Sequence, residues 1–344
     1  MIERAYLPPA EYAGRYGEYR SALLFDDGRK VANGAEWGAK RREILDYWRT
    51  KLGEWPELIR GQRLVRGEPE VCDGYTRYPV SFEWLSGQKT DGYLLVPPGS
   101  EKKAAVITVY YEPETAVGLG SDKYLDFAHQ LAQRGLVALS IGTREASKRG
   151  EYGLYWPDIE GARLQPLAAL ACAAANACEA LAAEPVVDAA RVGVMGHSFG
   201  GKWAMFAMAF FECFAWGVWS DPGIAFSTTR SAINYWEPWY LGYHPKPWRM
   251  RGMVTAENPA FGVYPQLTAE GHDLHELHAL VAPRPFMVSG GSEDPPSRWE
   301  VLNHTVELNR LLGYENRIAM TNREFHEMDG LSAEAIYAFV EQWC

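Results

Sequence analysis

Between residues 104 and 219 the chain alternates continuous apolar stretches with helical patterns. The apolar stretches are AAVITVYY, LVALSIG and RVGVMGHS, and the helical patterns are KYLDFAHQLAQRG, QPLAALACAAANACEALAAE and GKWAMFAMAFFE. A strand that is apolar on both faces is typical of a parallel sheet covered by helices on both sides. The alternation therefore predicts an α/β protein with a mostly parallel sheet flanked by helices.

The segments around this alternation predict three additions to the sheet. In residues 1–60 the stretch EWGAKRREILDYWRTKLGEW repeats apolar residues at helical spacing, which predicts a helical N-terminal extension packed on the core. The remaining residues, 61–344, form the main domain, and alternating residues at 71–98 predict that it begins with antiparallel strands. Residues 222 to about 280 are rich in Trp and Tyr and broken by proline, which predicts an aromatic lid insertion.

The net charge of the chain argues against a nucleic-acid partner. The 344 residues include 34 basic and 44 acidic side chains, a net charge of −10, whereas proteins that bind nucleic acid concentrate Lys and Arg. The opening MIERAYLPPAEYAGRYGEYR has no apolar core flanked by basic residues. We therefore expect no nucleic-acid partner, no membrane association and a cytoplasmic location, or a secreted or periplasmic one where a leader has been removed.

The cysteines and one histidine cluster are the residues that could suggest a disulfide framework or a metal site. The five cysteines are odd in number and lack C-x-x-C spacing, which disfavours a disulfide framework and a zinc ribbon. His272, His275 and His278 lie three residues apart, and this matches no familiar zinc spacing. We expect these histidines to cap a helix and brace the lid, and we expect neither a metal nor a cofactor.

The stretch Gly196-His197-Ser198-Phe199-Gly200 matches the pattern G-x-S-x-G. An apolar strand pattern precedes it and a helical pattern follows it. In a nucleophile elbow the serine occupies a strained turn between strand and helix, and the flanking glycines remove side chains that would clash there. Ser198 is therefore the predicted nucleophile.

A serine nucleophile needs a base, and the base needs a carboxylate that orients it. Of the eight histidines, His326 alone follows directly on the last predicted strand, so it is the predicted base. Asp294, in VSGGSEDPP just past another strand, is the preferred acid, and Glu293 is a weaker choice. His197 is expected to fill a structural niche behind the serine.

A serine nucleophile also needs N–H donors that bind the oxyanion formed when it attacks a carbonyl group. The backbone N–H of Phe199 follows the nucleophile and is expected to point into the same space as its hydroxyl. The second donor is expected from the loop VYYEPETAVG, with a backbone N–H near Tyr111 as the candidate. The alternative for this loop is that its tyrosines only pack.

With these motifs, residues 70–344 resemble the α/β-hydrolase superfamily, and most closely the bacterial glucuronoyl and acetyl xylan esterases. This resemblance implies an α/β-hydrolase fold, and it implies that Lys202, which follows the elbow, contacts sugar hydroxyls. It also implies that Asp221 in WSDPGIAF is the alternative catalytic acid and that Trp299 contacts sugar. Phe199 departs from the glucuronoyl esterase pattern, which has arginine after the nucleophile, and this puts a uronic ester specificity in question.

These observations predict a serine-dependent carboxylic ester hydrolase. Its expected substrate is a small-molecule or oligosaccharide ester, with an acetyl or uronoyl group on a decorated carbohydrate. The aromatic lid supports a sugar ligand, because Trp236 and Trp239 can stack on pyranose faces. The alternatives are a serine peptidase similar to the prolyl oligopeptidase group, which here lacks a preceding propeller, and a non-catalytic binding protein. The oligomeric state is left open.

Overall fold

The alternating strands and helices form one mixed sheet in the structure, a computed structural model that describes residues 2–344. The strands are β1 Val65–Arg66, β2 Glu70–Cys72, β3 Tyr75–Leu85, β4 Gln88–Val96, β5 Lys103–Tyr110, β6 Val137–Gly142, β7 Val187–His197, β8 Trp216–Ser220, β9 Phe286–Gly290 and β10 Ile318–Asn322. The α-helices are α1 Gly34–Leu52, α2 Pro113–Ala116, α3 Phe127–Gln133, α4 Arg144–Lys148, α5 Pro166–Ala182, α6 Phe199–Phe210, α7 Tyr264–Ala269, α8 His275–Val281, α9 Trp299–Leu311 and α10 Gly330–Trp343.

The strand order is β1-β3-β4-β6-β5-β7-β8-β9-β10, and β2 pairs with β3. In the part of the sheet ordered β6-β5-β7-β8-β9-β10, each strand is parallel to the next. The strands β1 to β4 pair in antiparallel fashion, and β4 joins β6 in the same way. The predicted fold class, a mostly parallel sheet flanked by helices with antiparallel strands at its start, is confirmed.

Both faces of the central strands are buried, as their continuous apolar sequences predict. Ile107 and Val109 of β5 belong to a core shared with α1, α5, α6, α8 and α9. Val106, which points to the opposite face, belongs to a second core with α3 and α10. Helices therefore cover the sheet on both sides, and the carboxyl ends of the parallel strands are left to carry loops.

The long apolar run from Trp203 to Trp219 divides into two buried elements, the end of α6 and the strand β8. Every residue of α6 is buried against the sheet. No helix within residues 2–344 combines the length and apolarity needed to cross a membrane. The apolar character of this run is explained by burial inside the protein.

The segment of residues 222–280, which we call the lid segment, lies between β8 and β9. It contains α7 and the start of α8 and otherwise has little regular structure. Its aromatic residues are largely inside the protein: Tyr235 and Trp236 have no exposed surface, and Tyr240 is 2% exposed. The lid segment therefore contributes to the core as well as to the surface.

In the N-terminal segment, α1 packs its apolar stripe on the body of the protein. Trp48 is completely buried, and its Nε1–H donates to Oε2 of Glu276 in α8 over 2.7 Å. Glu276 is itself 3% exposed and also contacts Nδ1 of His272. The indole thus supplies one of the hydrogen bonds that a buried carboxylate requires.

We predict that Trp48→Phe lowers the free energy of unfolding by about 1–3 kcal/mol, because the buried Glu276 carboxylate loses a donor. Urea denaturation measures the change. Trp55→Phe is the matched control, since its indole donates to the Arg49 carbonyl in a partly exposed position, and we expect a smaller loss. Equal losses in the two variants would contradict this account of how α1 is held.

Candidate active site

Ser198 is the one residue between the end of β7 and the start of α6. Its φ of 53° and ψ of −111° belong to neither element, and a non-glycine residue seldom adopts this conformation. The turn also brings α6 close to the neighbouring strand: a Cβ on Gly200 would overlap with the carbonyl oxygen of Val109, and a Cβ on Gly196 would overlap with Gly200. The strand–turn–helix predicted from G-x-S-x-G is therefore present.

His326 lies in the loop after β10 and contacts both of its predicted kinds of partner. Its Nε2 is 2.9 Å from Oγ of Ser198, and its Nδ1 is 2.7 Å from Oδ2 of Asp221. The imidazole is about one-third exposed, whereas the Asp221 carboxylate has no exposed surface. The three side chains form a continuous hydrogen-bonded chain from hydroxyl to carboxylate.

Asp221 follows β8 directly and accepts several hydrogen bonds. The backbone N–H groups of Gly291 and Asp294 donate to its Oδ1 over 2.7 and 2.8 Å. Burial raises the pKa of this carboxyl, but the hydrogen bond and charge of His326 together with these backbone donors outweigh it, so that the pKa is lowered overall. Asp221 is therefore held as a carboxylate beside His326.

The structure contradicts the preference for Asp294 as the acid. Its carboxylate points away from His326 and accepts hydrogen bonds from the backbone N–H groups of Gly223 and Ile224 over 2.8 and 2.6 Å. Burial and the nearby Asp221 raise the pKa of Asp294 to about 6. The backbone N–H of Asp294 donates a hydrogen bond to Asp221. The Asp294 side chain binds the backbone at the start of the lid segment. The alternative acid, Asp221, occupies the position beside the histidine.

Arg323 also belongs to the site, and the sequence analysis missed it. Its guanidinium donates to the carbonyl oxygens of His326, Glu327 and Ser289 over 2.7, 2.7 and 2.9 Å. Nη2 also contacts Oγ of Ser220 over 3.2 Å. Arg323 therefore ties the loop that carries His326 to the ends of β8 and β9. Only its proximity to His326 along the chain could have drawn attention to it.

The predicted oxyanion-binding residues lie next to the nucleophile. Phe199 is the first residue of α6, so its N–H has no acceptor within the helix. The Phe199 ring is buried and stacks on the ring of Tyr111, with 4.5 Å between the centroids and an angle of 11°. Tyr111 follows β5, as expected. The backbone groups of the two residues remain the candidate donors.

His197 lies behind the serine in the predicted structural niche. It is 5% exposed, its Nδ1 contacts Oγ of Ser220 over 3.0 Å, and its ring centroid is 4.7 Å from that of His326. Burial, followed by the charges of His326 and Arg323, lowers the pKa of His197 to about 3. His197 is therefore neutral at physiological pH and does not compete with His326 as a base.

The predicted contact of Lys202 with a sugar is contradicted. Lys202 is 2% exposed, and its Nζ donates to the lid carbonyls of Pro222 and Ala232 over 2.6 and 3.3 Å. It also lies 5.0 Å from the Tyr235 ring centroid and 5.5 Å from that of Tyr240. Desolvation lowers its pKa to about 8. The ammonium group therefore binds buried carbonyl groups of the lid segment and does not reach solvent.

Two of the three tryptophans predicted to contact sugar are inaccessible. Trp236 has no exposed surface and donates from Nε1 to the Gly252 carbonyl over 3.0 Å, and Trp299 is 1% exposed at the start of α9. Burial in the core therefore overturns both predictions. Trp239 is 4% exposed and lies 5.2 Å from the half-buried ring of Tyr152. It stays a candidate for substrate contact.

The three histidines weighed as metal ligands have separate protein partners. His272 contacts Glu276 over 2.8 Å, while His275 contacts the Arg20 carbonyl over 2.5 Å and His278 the Leu274 carbonyl over 2.8 Å. Residues 2–344 include no group of three or more His, Cys, Asp or Glu side chains placed to hold a metal ion. The cluster braces α8 within the protein.

This arrangement is suited to activating a hydroxyl group. The neutral His326 imidazole can accept the proton of Ser198 at Nε2 while its Nδ1–H donates to Asp221. Arg323 acts through His326 by fixing its backbone. A shift of about 1 Å in a reacting group can slow a reaction by a factor of about 100, so we expect loss of the Arg323 contacts to lower the reactivity of Ser198.

We predict that Arg323→Gln lowers the maximal rate at which a fluorophosphonate labels Ser198 by about 100-fold with little change in the half-saturating probe concentration. The separation of rate from binding distinguishes a misplaced imidazole from a general loss of structure. Arg310→Gln, an exposed change on α9, is the control and should label at the normal rate. A labelling rate for Arg323→Gln within twofold of normal would show that these contacts do not position His326.

Part of the chain matches a known protein family. The model of the prolyl oligopeptidase family matches residues 173–302. This stretch contains the nucleophile turn, Asp221 and Asp294, and it ends before His326. A search of curated proteins finds no match.

Comparison of structures extends the likeness to almost the whole chain. A glucuronoyl esterase from Solibacter usitatus is 18% identical with a TM-score of 0.74, covering 98% of this chain and 99% of its own. A promiscuous esterase of carbohydrate esterase family 15 from a marine bacterial metagenome is 16% identical with a TM-score of 0.70, covering 98% and 100%. A putative acetyl xylan esterase from Bacteroides fragilis is 14% identical with a TM-score of 0.59, covering 89% and 79%. The chain thus has the α/β-hydrolase fold, and its structure resembles those of carbohydrate esterases.

Proposed function

We propose that this protein is a serine hydrolase that cleaves carboxylic esters of decorated carbohydrates through an acyl-enzyme. The observation that carries the proposal is the hydrogen-bonded chain of Ser198, His326 and Asp221, with 2.9 and 2.7 Å between successive side chains. The acyl group is an acetyl or a uronoyl group. The carbohydrate esterases among the structural neighbours support this substrate class.

In the proposed mechanism Ser198 Oγ attacks the ester carbonyl while His326 Nε2 takes its proton. The carbonyl oxygen becomes an oxyanion, and the backbone N–H groups of Phe199 and a residue near Tyr111 stabilise it. The imidazolium, stabilised by Asp221, then gives its proton to the leaving alcohol. Water, activated by the same imidazole, hydrolyses the acyl-enzyme and restores Ser198.

Aromatic rings beside the nucleophile support a carbohydrate ligand. Tyr111 and Tyr152 are both half-buried, with 5.7 Å between their ring centroids. Tyr111 also stacks on Phe199, the residue after the nucleophile. An aromatic ring with one accessible face suits the flat apolar face of a pyranose. These rings replace the buried tryptophans as the proposed sugar contacts.

A serine peptidase is the second candidate function, favoured by the match of residues 173–302 to the prolyl oligopeptidase family. Ser198 would attack an amide carbonyl in the same way, with His326 as the base and Asp221 as the orienting carboxylate. Aminoacyl amides and short acyl esters assayed side by side distinguish the two functions. A non-catalytic binding protein is the third alternative, and it would leave Ser198 unlabelled by a fluorophosphonate.

We predict that Ser198→Ala lowers the turnover of 4-nitrophenyl acetate by at least about 10⁴-fold, because the acyl-enzyme cannot form. His326→Ala should cause a loss of the same order. Initial-rate kinetics measure the effect, and circular dichroism checks that each variant is folded. Retention of turnover by Ser198→Ala within about tenfold of normal would refute the assignment of the nucleophile.

The assignment of the acid predicts unequal effects of two neighbouring substitutions. Asp221→Asn should lower kcat by about 10⁴-fold with little change in KM, because the amide does not stabilise the imidazolium. Asp294→Asn should lower kcat far less, since its carboxylate contacts the backbone of Gly223 and Ile224 instead of His326. Steady-state kinetics on one substrate compare the two, and the reverse order would restore Asp294 as the acid.

A further inference from the structure

Arg251 of the lid segment lies against two aromatic rings near the nucleophile. Its guanidinium carbon is 4.7 Å from the ring centroid of Tyr152 and 4.9 Å from that of Trp239. The residue is exposed. Stacking engages the faces of a guanidinium and leaves its N–H donors free around the edge. Arg251 therefore rests against aromatic rings and keeps hydrogen-bond donors open to solvent.

Arg251 is also distinguished from the neighbouring cations by its lack of an acidic partner. Lys246 and Arg149 both pair with Glu151, over 3.2 and 2.7 Å, and Arg249 pairs with the buried Glu237 over 3.1 Å. Within the described chain, residues 2–344, Arg251 forms neither an ion pair nor a side-chain hydrogen bond. Its charge is thus available to an external anion, in a protein whose net charge is −10.

A continuous series of ring contacts connects Arg251 to the nucleophile turn. Tyr152, on which Arg251 stacks, lies 5.7 Å from Tyr111, and Tyr111 lies 4.5 Å from Phe199. Two aromatic rings, Tyr152 and Tyr111, therefore lie between the cation and the nucleophile turn. A group bound by Arg251 belongs to a part of the substrate that is remote from the ester being cleaved.

We propose that Arg251 binds a free carboxylate on a sugar residue next to the one that carries the ester. This inference rests on the proposed function, and it specifies the substrate class as an acidic oligosaccharide. The planar guanidinium matches a carboxylate through two parallel hydrogen bonds, while the half-buried Tyr152 beside it offers aromatic surface to the adjoining sugar. Arg251 would then discriminate between charged and neutral oligosaccharides that carry the same ester.

Binding measurements in the Ser198→Ala background test this role without turnover. Isothermal titration calorimetry compares digalacturonate, which has free carboxylates, with its uncharged dimethyl ester. We expect about tenfold tighter binding of the charged disaccharide, the effect of one charge-assisted hydrogen-bonded pair, and we expect Arg251→Gln to abolish the preference. Arg42→Gln is the matched control, an exposed arginine on α1 without an ion pair, and it should retain the preference. Raising the salt concentration should also weaken it.

Equal binding of the two disaccharides by the Ser198→Ala protein, no binding of either, or a preference that survives Arg251→Gln would each overturn the proposal. These outcomes are separate from the test of the proposed function. Equal binding of the two disaccharides by the Ser198→Ala protein, together with Ser198-dependent hydrolysis of 4-nitrophenyl acetate by the unmodified enzyme, would refute the role of Arg251 alone. A different result would separate the two proposals in the other direction. If the Ser198→Ala protein binds digalacturonate in an Arg251-dependent way but the unmodified protein hydrolyses no ester, the proposed hydrolase function is refuted and the proposed binding site is retained.

Discussion

Asp221 holds a carboxylate without exposed surface where the carboxyl ends of β8, β9 and β10 meet. Burying such a charge is costly unless hydrogen bonds replace its lost hydration. The loop after β9 supplies backbone N–H groups at Gly291 and Asp294, and the loop after β10 supplies the imidazole of His326. One carboxylate therefore joins three loops. The position of His326 relative to Ser198 depends on all of them.

The local pattern around Ser198 was sufficient to predict the strand–turn–helix that holds it. The glycines are required because the helix approaches Val109 closely, and such steric requirements leave a direct trace in the sequence. His326 was predictable because it follows directly on the last strand. The aspartate that contacts His326 was not, since Asp221 and Asp294 both follow strands at the same edge of the sheet. The direction of each side chain is determined by backbone donors such as Gly223, which no residue pattern reveals.

The lid segment shows a different limit of sequence analysis. An aromatic side chain can cover a sugar or fill a core, and its identity does not distinguish these uses. The structure buries Trp236 with its indole N–H bonded to Gly252, and it buries Lys202 beneath the same segment. Arg323 was missed for a related reason. Its partners are backbone carbonyl groups, which have no counterpart in the sequence.

The contacts of Arg323 have a consequence for how this protein can evolve. Carbonyl groups are the same in every amino acid, so the support that Arg323 gives to the loop of His326 does not depend on which side chains the loop carries. Glu324, Phe325 and Glu327 of this loop point into solvent, with Phe325 64% exposed. Changes of these three side chains leave the carbonyl groups that Arg323 contacts unchanged. The rim beside Ser198 can thus differ in charge and polarity without loss of the contacts that hold the His326 backbone.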